Sequence, residues 1–210
     1  MLFFSSAYAA TVSEDFSSGT YTGGTGWAAA WSEISDDGSA TGGDVRIVSD
    51  LSSNALRLNR NNKGASRSVN LAGALNASLS FNYRRSNLTG SDTFSVDISV
   101  NGGTSWVTIA QFGAGTDAAY LSASYDISDY AASNTRIRVL SGSANANGDF
   151  VFIDNIQIVY TPAPVAASTQ SALSCGAVLN AGGVINTYYP GTASVAIGAT
   201  AIPVGAATGA

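Results

Sequence analysis

Apolar and polar positions alternate along much of this chain, in short runs separated by turn residues. Leu79-Ser80-Phe81-Asn82-Tyr83-Arg84 puts Leu79, Phe81 and Tyr83 on one side and Ser80, Asn82 and Arg84 on the other. That period of two is the spacing of side chains on a pleated strand. Phe94, Val96, Ile98 and Val100 alternate with Thr93, Ser95, Asp97 and Ser99. Asn101-Gly102-Gly103 then turns the chain into Trp106–Phe112, which predicts a hairpin. Val45–Val48 and Ala55–Leu58 predict shorter strands, and Ile137 and Val139 alternate with Arg136 and Arg138. Phe150–Tyr160 is apolar nearly throughout and predicts a central strand. No segment predicts a helix. About ten short strands between turn signals argue an all-β fold. The expected architecture is an antiparallel β-sandwich of jelly-roll type over residues 13–160, with a short irregular or β C-terminal extension. Strand parity places Phe81, Phe94, Val96, Ile98, Val139 and Ile156 in the core.

Composition supports this picture and removes several functions. Only 11% of the 210 residues are charged, 23 are Gly, and Lys63 is the single lysine. The net charge of −5 excludes the basic stripe that nucleic acid or an anionic membrane surface requires. The chain has no histidine, which removes Ser-His-Asp and Cys-His catalysis. Only two of the fourteen acids are Glu, and none sits in an acid/base motif, so no catalytic residue is assigned. Cys175 has no internal partner, and its expected pairing is with a cysteine elsewhere in a longer chain. Residues 1–10 read as the remnant of a signal peptide, with the cleavage pattern Ala7-Tyr8-Ala9 behind a short apolar run. Residues 161–172 read as a Pro/Ala/Ser linker, and residues 173–210, which carry no charge, as the incomplete start of a further domain.

Six motifs occur in order: Glu14-Asp15-Phe16; a Gly-rich loop into Trp27 and Trp31; Ser66-Arg67-Ser68-Val69 ahead of a strand; Asn101-Gly102-Gly103-Thr104-Ser105-Trp106; Tyr125–Tyr130; and Phe152–Ile158. With this set the first domain resembles bacterial jelly-roll modules of the MAM-like, galactose-binding-like and carbohydrate-binding group. Gly183–Gly191 followed by Ala193–Gly198 resembles the start of the repeat region of large MSHA-pilus-biogenesis-type surface proteins of Gram-negative bacteria. Together these resemblances imply a secreted or surface-anchored protein whose partners are a glycan or cell-surface ligand and further domains of the same chain.

The resemblance also implies a structural Ca²⁺ where the first and last strands meet. The candidate ligands are Glu14, Asp15, Asp149, Asp154 and Asn155. Asp154 interrupts a run of large apolar residues, where a carboxylate needs a partner. The alternative is satisfaction by backbone N–H groups or an arginine. Asp36, Asp37 and Asp44 form a second acidic group in a Gly-rich loop, read as a solvated turn. Trp27, Trp31, Tyr21 and Trp106 lie beside loops, either as sugar-stacking platforms or as packing. Asn82, Arg84, Asp97, Arg136 and Arg138 share the outward parity of their strands. If those strands are neighbours, they form a polar face suited to a glycan or a carboxylate-bearing ligand; otherwise they are an ordinary solvated face. The expected function is non-catalytic adhesion or glycan recognition. A ligand-free spacer and an accessory module of a secreted hydrolase stand as alternatives.

Overall fold

The computed structural model describes residues 8–163, together with the backbone of four short strands in the C-terminal part. The chain divides into two units, Met1–Val165 and Ala166–Ala210. The first contains β1 (Ala10–Glu14), β2 (Ser32–Ile34), β3 (Arg46–Asp50), β4 (Ser53–Asn59), β5 (Gly64–Val69), β6 (Asn76–Ser86), β7 (Phe94–Ser99), β8 (Val107–Phe112), β9 (Leu121–Asp126), β10 (Thr135–Ser141) and β11 (Phe150–Thr161). A single 3-10 turn, Ser128–Tyr130, is the only helical element among the described residues.

Two antiparallel sheets form a sandwich. One runs β3-β4-β11-β6-β9 with β1 also on β11, and the other runs β2-β5-β10-β7-β8. The apolar strand β11 is central, as its sequence predicts. It pairs with β6 along one side. On its other side β4 takes Phe150–Ile153 and β1 takes Ile156–Tyr160. Between these halves the β6 register slips by one residue, a β-bulge between Asp154 and Gln157. Asn155 sits there at φ 48°, a left-handed conformation that Asn tolerates better than most residues. The β7–β8 hairpin forms as expected.

The core follows the parity read from the sequence. Phe81, Phe94, Val96, Ile98, Val139 and Ile156 are all at most 3% exposed. Each such side chain contributes about 1.5–3 kcal/mol by leaving water. Phe94 stacks on Phe112 at 4.5 Å, and Tyr83 packs against the same ring at 4.4 Å.

Three features differ from the expectation. The first strand begins at Ala10, opposite Tyr160, so the domain starts earlier than residue 13 and Ala10 belongs to it. Ser66–Val69 does not precede a strand but lies within β5. Glu14 and Arg67 take inward positions, alongside Val12 in β1 and Ala65 and Val69 in β5. In the second unit, β12 (Val178–Leu179) pairs with β13 (Ile185–Asn186), and β14 (Ser194–Ile197) pairs with β15 (Thr200–Pro203). Residues 1–7 of the expected 1–10 signal-peptide remnant, Cys175 and most of the expected 161–172 linker lie outside the described residues.

Candidate functional site

The outer face of the six-stranded sheet carries one continuous row of large side chains. Arg46 on β3 stands opposite Arg57 on β4. Arg57 stands opposite Phe152 on β11, and Phe152 opposite Arg84 on β6. Leu121 pairs with Tyr83, so Tyr120 continues the row beyond Arg84. Five positions at ~4.8 Å per strand span about 19 Å. The arginines lie over aromatic rings, Arg84 at 4.4 Å from the Phe152 centroid and Arg57 at 5.1 Å from that of Phe150. Arg84 is fixed by both oxygens of Asp50, with Nε donating at 2.7 Å. Arg57 donates only one long bond, from Nη2 to the Gly43 carbonyl at 3.4 Å. Burial, then the neighbouring Arg46, holds the Arg57 guanidinium below its ordinary pKa. Among the described residues the buried Nε of Arg46 and Nε of Arg57 have no hydrogen-bond partner, while the Tyr120 hydroxyl faces Asp50.

Asn82 and Arg84 therefore lie on one side of the sandwich. Asp97, Arg136 and Arg138 lie on the other, on β7 and β10 of the five-stranded sheet. The single polar face imagined from parity does not form, because β6 belongs to a different sheet from β7 and β10. Asn82 accepts a bond from Ser122 Oγ at 2.8 Å. Asp97 is 1% exposed and saturated: Arg138 Nε donates at 2.7 Å, Thr108 Oγ1 at 2.6 Å and Ser95 Oγ at 3.1 Å. Arg138 also lies 4.3 Å above the Trp106 ring.

Of the tryptophans singled out in the sequence, Trp27 and Trp31 pack inward, whereas Trp106 lies under Arg138 outside the core. Trp31 is 4% exposed and offers no open face to a ligand. Half-buried Trp27 donates its indole N–H to the Ser13 carbonyl at 2.9 Å. The two rings flank the Arg67 guanidinium at 4.9 and 5.9 Å, and Arg67 ion-pairs with Glu14. Tyr21 is buried and donates to Glu33 at 2.5 Å and to the Val45 carbonyl at 3.1 Å.

Of the five expected metal ligands, the fold gathers three. Asp15, Asp154 and Asn155 line one open cavity at the bulge, with Ser17, Ser49, Ser52, Ser53 and Asn54. Burial, with a contribution from Asp15, holds the Asp154 carboxyl above its usual range. Asp154 accepts bonds from Ser53 Oγ at 2.8 Å and from the Asn155 N–H at 2.7 Å. Glu14 does not join them, because strand parity turns it inward to Arg67. Asp149 does not either: it accepts the Ala146 N–H in a turn, five residues along the strand, or roughly 16 Å away. In the acidic loop, oxygens of Glu33, Asp36 and Asp37 lie within 4.8 Å of one another. Donors occupy each of them: Tyr21 and the Gly38 N–H on Glu33, Lys63 and the Val45 N–H on Asp36, and the Ser39 N–H on Asp37. Asp44 pairs instead with Arg60 and Lys63.

No protein-family model matches this chain, and no curated protein matches it. Among solved structures it is similar to TmCBM61 in complex with β-1,4-galactotriose, at 15% identity and TM-score 0.48, over 69% of this chain and 92% of that one. The CBM22-1 xylan-binding domain of Paenibacillus barcinonensis Xyn10C is 16% identical with TM-score 0.49, over 72% and 94%. The K3 cleaved adhesin domain of Lys-gingipain from Porphyromonas gingivalis w83 is 13% identical with TM-score 0.48, over 70% and 97%. At this distance neither ligand nor activity passes from them to the present chain.

Arg46, Arg57, Phe150 and Phe152 were not singled out from the sequence. The signal available was parity: Arg57 interrupts the apolar stretch Ala55–Leu58, and Phe152 sits within an apolar run whose outward positions looked like core. What could not be read was that arginine stems cover those outward rings, which makes an apolar run compatible with an exposed face.

Proposed function

We propose that this protein is a non-catalytic glycan-recognition module that binds along the outer face of its six-stranded sheet. The observation that carries the reading is the row Arg46–Arg57–Phe152–Arg84–Tyr120, which holds planar donors over aromatic rings and leaves the buried Nε of Arg46 and of Arg57 without partners among the described residues. Sugars present acceptor hydroxyls along an extended chain, and a rigid fork of donors suits them. Asp50 pre-orders Arg84, so little side-chain entropy is lost when a ligand docks. The absence of histidine and the engagement of both glutamates, Glu14 by Arg67 and Glu33 by Tyr21, support a binding role without bond chemistry. Among the described residues no helix is long and apolar enough to cross a membrane. A secreted or surface-anchored setting, with adhesion as the outcome, belongs to the same proposal. Its support is the low charge content and the leader-like N-terminus.

The cavity at the bulge fits a hard cation. Its lining contains no lysine or arginine, and its side-chain donors are carboxylate, amide and hydroxyl oxygens. One of its carboxylates, Asp154, is 2% exposed with no cationic partner. Asp15, Asp154 and Asn155 would hold Ca²⁺ there, and the ion would supply charge compensation.

Isothermal titration of the full chain with a panel of soluble polysaccharides tests the binding reading. At least one polymer should bind. Arg84→Gln should weaken it about tenfold, the scale of one charge-assisted hydrogen bond, while Arg138→Gln on the opposite sheet should leave it unchanged. Equal effects from both variants, or no binding at all, would count against this face.

A further inference from the structure

We infer that the ligand of this face is an anionic, uronate-bearing glycan whose carboxylates dock on Arg46 and Arg57. The inference rests on the glycan reading above and narrows its chemistry. The chain holds nine basic and fourteen acidic residues, so acids are available for every base. Six of the nine basic side chains are ion-paired; Arg46, Arg57 and Arg136 are not. Two of those three stand directly opposite each other across β3 and β4. Like charges in that relation repel and weaken strand pairing. Both are partly buried, and the inner nitrogen of each is without a partner. Asp36 and Asp44 lie near enough to act on Arg57 through space, yet they are taken up by Lys63 and by Arg60 and Lys63. The sheet therefore carries two neighbouring guanidinia that no carboxylate of the described residues contacts directly, within an acidic protein. A carboxylate accepts two parallel N–H bonds from one guanidinium, and a pair of guanidinia on adjacent strands would share or bracket such groups. Phe152 and Arg84 continue the same row, so a sugar chain that placed its acid on the arginine pair would run on across the sheet. Arg136, the one unpaired arginine of the other sheet, stands between Ser68 and Ser99 in its row, with no second unpaired arginine beside it.

The test titrates the full chain with polygalacturonate, with a neutral galactan and with polyglutamate, at low and at moderate salt. Polygalacturonate should bind at least tenfold more tightly than the galactan and than polyglutamate, since the site reads both sugar and charge. Arg46→Gln and Arg57→Gln should each remove about tenfold of that preference, the scale of a bond to a charged group, while Arg136→Gln leaves it intact. Without ligand, both variants should melt at or above the wild-type midpoint, because the cross-strand repulsion is relieved. Galactan bound as well as polygalacturonate would overturn the inference and leave the glycan reading standing. Binding of neither polysaccharide overturns the inference, and the glycan reading then falls only if the whole polysaccharide panel also fails to bind. Equal affinity for polyglutamate, or a lower melting midpoint in both variants with unchanged preference, also overturns it, the latter by making the arginines structural.

Discussion

Glu14 and Arg67 show how far a single pair of residues can reorganise this domain. They are 1% and 3% exposed and ion-paired to each other. Glu14 also accepts the Phe16 N–H at 2.9 Å, and Arg67 Nε donates to the Ala29 carbonyl at 2.6 Å. Removing one partner strands the other charge in the core. Glu14→Ala should therefore cost about 3–5 kcal/mol in chemical denaturation, whereas the double variant Glu14→Ala, Arg67→Met should recover a large part of that loss. A Glu14→Ala cost below about 1 kcal/mol would mean that water reaches the pair. Neither the inward position of Glu14 nor its role was read from the sequence, although Glu14 shares parity with Val12. A carboxylate opening a β-domain reads equally as metal ligand or ion-pair partner until the strand bearing Arg67 is placed beside it.

At the scale of elements, polar anchors hold the loops and edges. Asp117, in the loop between β8 and β9, clamps Arg85 of β6: Oδ1 takes Nη2 at 2.9 Å, and Oδ2 takes Nε and the backbone N–H, both at 2.9 Å. This hydrogen-bonded ion pair holds the Asp117 carboxyl below its usual range. A depressed folded-state pKa contributes stability that is full above the unfolded value of about 3.9 and is lost as pH falls through the folded value. Asp117→Asn should thus be less stable than wild type by about 1–3 kcal/mol at neutral pH. The gap should close in the acid range, as measured by urea denaturation at a series of pH values. A gap independent of pH would assign the loss to packing. The strands β6, β7 and β11 were legible because one or both faces bury large apolar side chains. β5 and β9 were not. β5 places Arg67 at a core position among small residues, and β9 has no buried residue, so neither shows the alternation that marks a half-buried strand.

In the first unit the first and last strands, β1 and β11, lie side by side, Glu14 opposite Ile156, and the bulge that follows brings Asp154 and Asn155 into one cavity with Asp15. Calcium in that cavity would tie the chain ends of the domain. Excess Ca²⁺ should raise the melting midpoint of the full chain, with about 2.7 kcal/mol of stabilisation at a hundredfold excess over Kd, and a chelator should reverse it. Asp154→Asn should lose this response. In chelator it should be at least as stable as wild type, since it no longer buries an uncompensated carboxylate. An unchanged wild-type midpoint would show that Ser53 and Asn155 alone satisfy Asp154. The sequence by itself determined the all-β class, the central place of β11 and the inward set from Phe81 to Ile156, because a period of two and the burial of large apolar groups are local properties. Only the tertiary structure decided which outward residues share a face. Sheet membership depends on pairings between strands far apart in the chain, and those pairings put Phe152 between Arg84 and Arg57, and Arg138 on the opposite side.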